Sequence, residues 1–149
     1  MIKNEIQINK MSLTDLEQIK DELQNCFDDF WSYEILKQEI ENNNSIYVVA
    51  KIDDSIVGFA GIKIIFDEAE LMNIVVKKVN RKQGIGKILL KELVNIMKDS
   101  GINKIMLEVN ENNNAAIKLY QTFGFEQSGK RKKYYNNIDD AILMEMHIN

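Results

Sequence analysis

Leu71-Met72-Asn73-Ile74-Val75-Val76, followed by Arg81-Lys82-Gln83-Gly84-Ile85-Gly86, is the stretch that decides how this chain folds. The apolar, β-branched run reads as a buried strand. The glycine turn after it opens a helix, Gly84 to Ser100, whose apolar residues Ile85, Ile88, Leu89, Leu93, Ile96 and Met97 recur at helical spacing. Gly101 stands where a C-cap would end that helix. Ile105-Met106-Leu107-Glu108-Val109 then reads as a second strand, free to return parallel to the first because a helix separates the two.

Working outward, Asn112-Asn113-Asn114 marks a turn into a last helix, Asn114 to Phe123, expected to bury Ala116, Leu119 and Phe123 before Gly124 ends it. Phe125 onward and Ala141 to Ile148 read as two closing strands joined through Asn136-Asn137. On the other side, Ile46 to Ala50 and Ile56 to Phe66 are strands linked by Asp53-Asp54-Ser55, and Asp67-Glu68-Ala69-Glu70 closes a hairpin into the strand at Leu71. Strands joined by such short turns must be antiparallel neighbours. At the N-terminus, Ile2, Ile6 and Ile8 suggest a strand ending near Asn9-Lys10. Ser12 caps a helix carrying Leu16, Ile19 and Leu23, with Asp15 in the capping-box position usually held by Glu. A second helix, Tyr33 to Glu41, begins at Ser32 and carries Ile35, Leu36 and Ile40. Between the two, Phe27-Asp28-Asp29-Phe30-Trp31 reads as a loop, with Trp31 more often a core filler than a ligand contact. The predicted order is β-α-α-β-β-β-α-β-α-β-β.

A chain of 149 residues, 45% hydrophobic and 28% charged, has the balance of one globular domain, residues 1–149. It contains no proline, where average usage would give roughly seven, so its turns rest on Gly, Asn and Asp. The single cysteine, Cys26, reads as a small buried side chain of the first helical segment, and no cysteine or histidine cluster offers a metal site. Met1 to Lys10 has no apolar core, so no signal peptide is expected, and no run approaches membrane-spanning length; the expected location is cytoplasmic. A net charge of −4 argues against nucleic acid as the main ligand. Lys130-Arg131-Lys132-Lys133 is the one basic cluster, read as the solvated end of a strand or turn, or as a phosphate or ribosome contact.

Two features carry chemistry. The glycine turn aims the free N–H groups of a first helical turn, and the positive end of the helix dipole, at one spot, which is an anion site. Gly84 and Gly86 let a diphosphate approach the backbone, and Arg81, Lys82 and Lys87 add charge around it. The turn has neither the Lys-Ser/Thr pair of a P-loop nor the third glycine of a dinucleotide fingerprint. Glu108 alternates away from Ile105, Leu107 and Val109, and a carboxylate in so apolar a strand suits a general base, since desolvation favours proton uptake. Its alternative is a strand-end glutamate turned to solvent. Tyr120, on the last helix, is equally readable as core.

With these residues in hand, the chain resembles the GCN5-related N-acetyltransferases (GNAT). The family's coenzyme motif, Gln/Arg-x-x-Gly-x-Gly/Ala, is matched by Arg81-Lys82-Gln83-Gly84-Ile85-Gly86. A second signature is matched by Glu108-Val109, Asn113, Ala116, Leu119-Tyr120 and Gly124-Phe125. Within the family it is similar to the RimI branch, which acetylates the N-terminal alanine of a small-subunit ribosomal protein. That likeness rests on Asn73-Ile74-Val75-Val76, Trp31-Ser32, Tyr134-Tyr135 and Asp140-Ala141-Ile142-Leu143-Met144. The sequence departs from the branch at Phe30, at Lys77-Lys78-Val79-Asn80 and in the short segment between Tyr135 and Asp140.

The resemblance implies an α/β (α+β) fold: a mixed, mostly antiparallel sheet of about seven strands, its parallel central pair splayed to bind acetyl-CoA, flanked by four helices. It implies acetyl-CoA as co-substrate, with the pyrophosphate on the N–H groups of Gln83, Gly84, Ile85, Gly86 and Lys87 and with Arg81 and Lys82 beside it. The pantetheine arm would pair with the backbone of Ile74, Val75 and Val76, and Asn113 would cap the last helix and also touch the coenzyme. Glu108 would take the proton of the attacking amine and Tyr120 would give one to the leaving thiolate. The implied acceptor is the N-terminus of a ribosomal protein. Two alternatives stay open: a small amine such as a polyamine or aminoglycoside, and a module that binds acetyl-CoA without turnover.

Overall fold

The structure is a computed structural model that describes residues 5–27, 32–135 and 138–148. Ile2, Asp28-Asp29-Phe30-Trp31, Asn136-Asn137 and the side chain of Tyr135 lie outside the described residues, and so do the readings placed on them. The described elements follow the expected order: β1 (Ile6–Lys10), α1 (Leu13–Gln18), α2 (Tyr33–Glu41), β2 (Ser45–Ile52), β3 (Ser55–Ile65), β4 (Glu68–Val76), α3 (Ile85–Asp99), β5 (Lys104–Asn110), α4 (Asn114–Phe123), β6 (Glu126–Tyr135) and β7 (Asp139–His147). The strands form one mixed sheet in the order β1-β2-β3-β4-β5-β7-β6. β4 and β5 are parallel, whereas β1–β2, β2–β3, β5–β7 and β6–β7 are antiparallel. The chain divides into two compact units, Met1–Lys63 with Met72–Ile96, and Ile64–Leu71 with Met97–Asn149, so β4 contributes to both. Among the described residues no helix is long and apolar enough to cross a membrane.

In the first unit, local chemistry sets the helix starts. The Ser12 hydroxyl accepts from Asp15 N, and the Asp15 carboxylate accepts from Ser12 N, so the expected capping box is present. Lys51 closes on the same carboxylate at 2.9 Å. Ser32 caps α2 by accepting from Ile35 N. α1, the turn after it and α2 bury Leu16, Ile19, Leu23, Phe27 and Leu36 against Val49, Phe59 and Val75. Full burial of such side chains stabilises by about 1.5–3 kcal/mol each, which is what fixes the helices on the sheet. Cys26 differs from expectation: it is half-buried in the turn after the 3-10 segment Lys20–Glu22, not buried on a helix. β2 and β3 meet in a two-residue turn, Asp53-Asp54, both with positive φ.

α3 packs on β3 at Gly58, where a Cβ would come within 2.9 Å of Val75 O and 3.2 Å of the Leu89 side chain. Gly58 and Phe59 point to opposite faces, so α3 covers one face of this unit and α1 and α2 the other. The buried set on α3 is Ile85, Leu89, Leu90, Leu93, Val94 and Met97. Ile88, expected inside, is exposed, and Ile96 is half-buried. The buried arc is centred nearer Leu93 and Met97 than the spacing of the isoleucines suggested.

The second unit is built on β5. It makes three register pairs with β4, Glu68↔Lys104 to Glu70↔Met106, and seven with β7, Lys104↔His147 to Asn110↔Ala141. β6 lies outside β7, so the strand that follows β5 in sequence is not its neighbour in the sheet. β4 starts at Glu68, earlier than the sequence reading, because Glu68 and Glu70 alternate with buried Ala69 and Leu71; the turn is Phe66-Asp67, with Phe66 at φ 59°. Both α3 and α4 end on a glycine at positive φ. Gly101 N bonds Lys98 O and Ile102 N bonds Met97 O; Gly124 N bonds Gln121 O and Phe125 N bonds Tyr120 O. These paired bonds satisfy the last carbonyls of each helix. No residue of α4 is buried: Ala116, Leu119 and Phe123 are only half-buried. Periodicity identified the inward side of α4 but not how completely it is covered.

Candidate functional site

The glycine turn has the geometry its sequence requires. Arg81 N bonds Lys78 O and the Arg81 Nε donates to Val76 O at 3.1 Å, which folds the segment back onto the end of β4. Lys82 stands at φ 65° and Gly84 at φ 81°, and Ile88 N bonds Gly84 O to begin α3. A Cβ on Gly84 would meet nothing within 4 Å, so glycine is required there by the backbone conformation and leaves open space above the turn. The first-turn N–H groups of α3 have no acceptor within the helix and carry the positive end of its dipole. Ile85 is buried and anchors the turn, while Lys82, Gln83, Gly84 and Lys87 are exposed. Of the three cations expected around the anion site, Lys82 and Lys87 stand on the surface, and Arg81 also braces the turn.

The end of β4 that precedes this turn alternates: Asn73 and Val75 are buried, Ile74 and Val76 half-buried. Asn73 is the exception in chemistry, being 9% exposed on an otherwise apolar face, and Tyr47 on β2 is 3% exposed. The Tyr47 ring lies over Gly61, its register partner on β3; a Cβ on Gly61 would fall 2.1 Å from the ring. The hydroxyl is turned to the Asn73 amide, yet neither it nor either amide atom of Asn73 has an aligned hydrogen-bond partner among the described residues. Burial, with the Glu39 charge adding to it, pushes the Tyr47 phenol well above its ordinary pKa of 10.0, so it is a neutral donor. Each buried polar group left unpaired costs about 1–3 kcal/mol. Sequence reasoning quoted Asn73 only as part of a motif and read Tyr47 as an ordinary strand residue.

In the second unit Glu108 lies on the face of β5 opposite the buried Ile105, Leu107 and Val109, as alternation predicts. Its surroundings are not the apolar ones expected. The carboxylate is 22% exposed and pairs with the Arg131 guanidinium on β6 at 3.2 Å, across β7. Arg131 in turn lies over the Tyr134 ring, 5.4 Å from its centre. A cavity of about 230 Å³ opens here, lined by Glu70, Glu108, Ser128, Arg131, Leu143 and Glu145 among others. Three carboxylates and one guanidinium line it, and two of the carboxylates are already matched, Glu108 by Arg131 and Glu145 by Lys104 at 3.6 Å. The basic run is therefore only partly a solvated strand end: Lys130 pairs with Asp140 at 3.5 Å and Arg131 with Glu108. No sequence signal linked Arg131, Glu70 or Glu145 to Glu108, because they come from different strands.

Asn113 caps α4 as expected, its Oδ1 accepting from Ala116 N at 3.2 Å. Tyr120 is half-buried, its ring edge-on to Phe125 at 5.8 Å between centres. Asp140 ties the β6–β7 end together: it accepts from Lys133 N at 2.7 Å, and its own N–H donates to Glu111. The Lys133 N–H, the first of several contacts, holds the Asp140 carboxyl below its ordinary 3.8.

Comparison with known proteins bears on these residues. Residues 16–125 match the acetyltransferase (GNAT) family. The chain is 31% identical over 150 residues, 99% of each chain, to a candidate [ribosomal protein bS18]-alanine N-acetyltransferase of Bacillus subtilis (strain 168). It superposes on the crystal structure of the ribosomal-protein-S18-alanine N-acetyltransferase from Escherichia coli with a TM-score of 0.89 and 29% identity, covering 97% of this chain and 95% of that one. It is also similar to the PaiA N-acetyltransferase of Thermoplasma acidophilum solved in complex with coenzyme A, with a TM-score of 0.76, 26% identity, and 97% and 99% of the two chains covered.

Proposed function

The chain belongs to the acetyltransferase (GNAT) family, and on that premise we propose that it transfers the acetyl group of acetyl-CoA to the N-terminal alanine of a small-subunit ribosomal protein. The observation that carries the acceptor is the likeness over 99% of both chains to a relative named for that reaction. Residues 1–149 act as one N-acetyltransferase domain, at work in the cytoplasm where ribosomal proteins are made.

In this reading the pyrophosphate of acetyl-CoA rests on the N–H groups of Gln83, Gly84, Ile85, Gly86 and Lys87. Support comes from the exposed turn, the positive φ of Gly84 and the cations Arg81, Lys82 and Lys87. The pantetheine arm pairs with the backbone of Ile74, Val75 and Val76, and a main-chain N–H near Val75 polarises the thioester carbonyl. Asn113 touches the coenzyme as well as capping α4.

Glu108, directly or through one water, accepts the proton of the attacking amine. The nitrogen then adds to the thioester carbonyl, the C–N bond forms and the C–S bond breaks. Tyr120 donates its proton to the departing sulfur. A phenol's pKa of about 10 lies only roughly 1.5 units above a thiol's, so this transfer is feasible once the sulfur carries charge. A single carboxylate base suits an α-amine, whose pKa of about 7.7–8.0 leaves a sizeable neutral fraction at pH 7.5, better than a lysine at about 10.4.

A second reading, a small cationic amine as acceptor, is favoured by Glu70, the carboxylate of that cavity left unmatched among the described residues. The test is thiol release from acetyl-CoA with a peptide beginning in alanine, beside the same peptide with a blocked N-terminus and an internal lysine, and beside a polyamine. Turnover confined to the free N-terminus supports the α-amine reading. Turnover of the polyamine alone replaces it with the second.

A further inference from the structure

We propose that Arg131 covers the Glu108 carboxylate in the free protein, standing where the acceptor's ammonium will stand, and yields it to that ammonium but not to water. Arg131 is then a positioning residue: it reserves the base for a cationic nucleophile and holds back hydrolysis of acetyl-CoA. The inference deepens the acetyltransferase reading and rests on the role given there to Glu108. The guanidinium lies 3.2 Å from Glu108 Oε1 and is the outer member of the pair, its side chain 57% exposed against 22% for the glutamate.

The sheet builds this cover. Arg131 is paired in register with Ala141 on β7, and Ala141 with Asn110 on β5, so the three share one face. Glu108, two residues before Asn110, lies on that face too. Ala141 carries only a methyl group, which leaves the long arginine side chain a path over β7. In an unbroken strand Tyr134, three residues beyond Arg131, would point to the other face. The register of β6 shifts between Arg131 and Tyr135, where Lys133 stands at φ 52° with its N–H held by Asp140 at 2.7 Å. This irregularity brings the Tyr134 ring to 5.4 Å from the guanidinium. An aromatic face attracts a cation, so the ring gives Arg131 a second seat when it leaves the carboxylate.

Magnitude decides that the cover can open. An exposed ion pair shifts an equilibrium by no more than about fivefold, whereas breaking a buried one costs about a hundredfold or more. With its outer half in solvent, the Arg131–Glu108 pair is of the first kind. The cavity beside it, about 230 Å³ and bounded also by Glu70 and Ser128, gives the exchanging cation room. Chemistry decides what opens it. An ammonium brings the charge that replaces the guanidinium on the carboxylate; a water molecule brings none and meets the base with the arginine in place. In hydrolysis the water oxygen bonds to the acyl carbon and the C–S bond breaks. One water proton passes to Glu108, the other stays on the acetic acid formed, and the sulfur takes its proton from Tyr120, as in acetyl transfer.

The experiment follows thiol release from acetyl-CoA with and without an alanine-initiated peptide. It uses the wild-type chain, Arg131→Gln, Arg131→Lys, Glu108→Gln and the double variant Arg131→Gln with Glu108→Gln, with thermal melting in parallel. Arg131→Gln is expected to raise peptide-independent release and to lower the peptide KM, each by about two- to fivefold, with kcat changed by about fivefold or less. Arg131→Lys keeps the charge and should stay within about twofold of wild type on both readouts. In the Glu108→Gln background, removing Arg131 should leave peptide-independent release unchanged, because the gain runs through the carboxylate. Peptide-independent release at the wild-type rate in Arg131→Gln would overturn the cover. A raised KM would overturn it as well, by making Arg131 a contact of the acceptor itself. So would a gain that persists without Glu108, which would place the effect elsewhere. If the wild type acetylates no alanine peptide, the N-terminal reading falls, and peptide-independent release still decides whether Arg131 covers the base.

Discussion

The head of α3 and the Glu108 surface differ in how they are made. The first is contiguous: Asn73 to Lys87 supplies the strand end, the brace of Arg81 on Val76 O, the Gly84 turn and the open N–H groups. The second is assembled from four strands, Glu70 on β4, Glu108 on β5, Arg131 on β6 and Glu145 on β7. An anion cradle can be written into fifteen adjacent residues because it is backbone chemistry. A carboxylate's surroundings are side-chain chemistry, and they depend on which strands the sheet places beside it.

Four experiments sharpen that contrast. The largest expected effect is at the assembled site: Glu108→Gln should lower kcat by about 10²–10⁴, the usual contribution of a general base, with acetyl-CoA binding unchanged. Single-turnover kinetics with calorimetry check it, and a kcat within threefold of wild type would remove Glu108 from the base role. At the contiguous site, Gly84→Val should weaken acetyl-CoA binding by about 10–100-fold, because a β-branched residue at positive φ costs about 1–3 kcal/mol and fills the space over the turn. Undiminished affinity would move the anion site elsewhere.

Arg131→Gln should change kcat about fivefold or less, since half-exposed ion pairs contribute about 0–1 kcal/mol. A loss as deep as that of Glu108→Gln would give Arg131 a part in the chemistry and not only in holding the carboxylate. The smallest effect lies in the capping box. Burial alone would raise the Asp15 carboxyl, but the Ser12 N–H, the Lys51 ammonium and the Ser12 hydroxyl outweigh it and hold it below its ordinary 3.8. A lowered folded-state pKa contributes stability above the unfolded value, and that stability is lost as pH falls through the folded one. Asp15→Asn should therefore destabilise by about 1 kcal/mol near neutral pH, with the gap to wild type closing below about pH 4 as the wild-type carboxylate takes up its proton. Urea melts across pH 2–7 measure it; a gap that persists at pH 2 would leave the carboxylate no share in the cap.

The legible parts of the fold share the contrast. Ser12 with Asp15, Ser32 with Ile35, and Asn113 with Ala116 act over three residues and were readable as caps. Gly84, Gly101 and Gly124 were readable as turn or stop positions because few other residues adopt positive φ. The start of β4 was missed because Glu68 and Glu70, polar in sequence, alternate with buried Ala69 and Leu71. Gly61 gave no sign of its part, which is to make room for a ring from another strand.

The sequence by itself determined the order of elements, the caps, the glycine turn before α3 and the family, because each depends on local backbone preference or on motif spacing along one chain. Only the tertiary structure decided that β7 inserts between β5 and β6, that Arg131 therefore meets Glu108, and that Tyr47 passes over Gly61 toward Asn73. Strand neighbours are chosen by burial and hydrogen bonding summed over the whole sheet, and no window of the chain contains that sum.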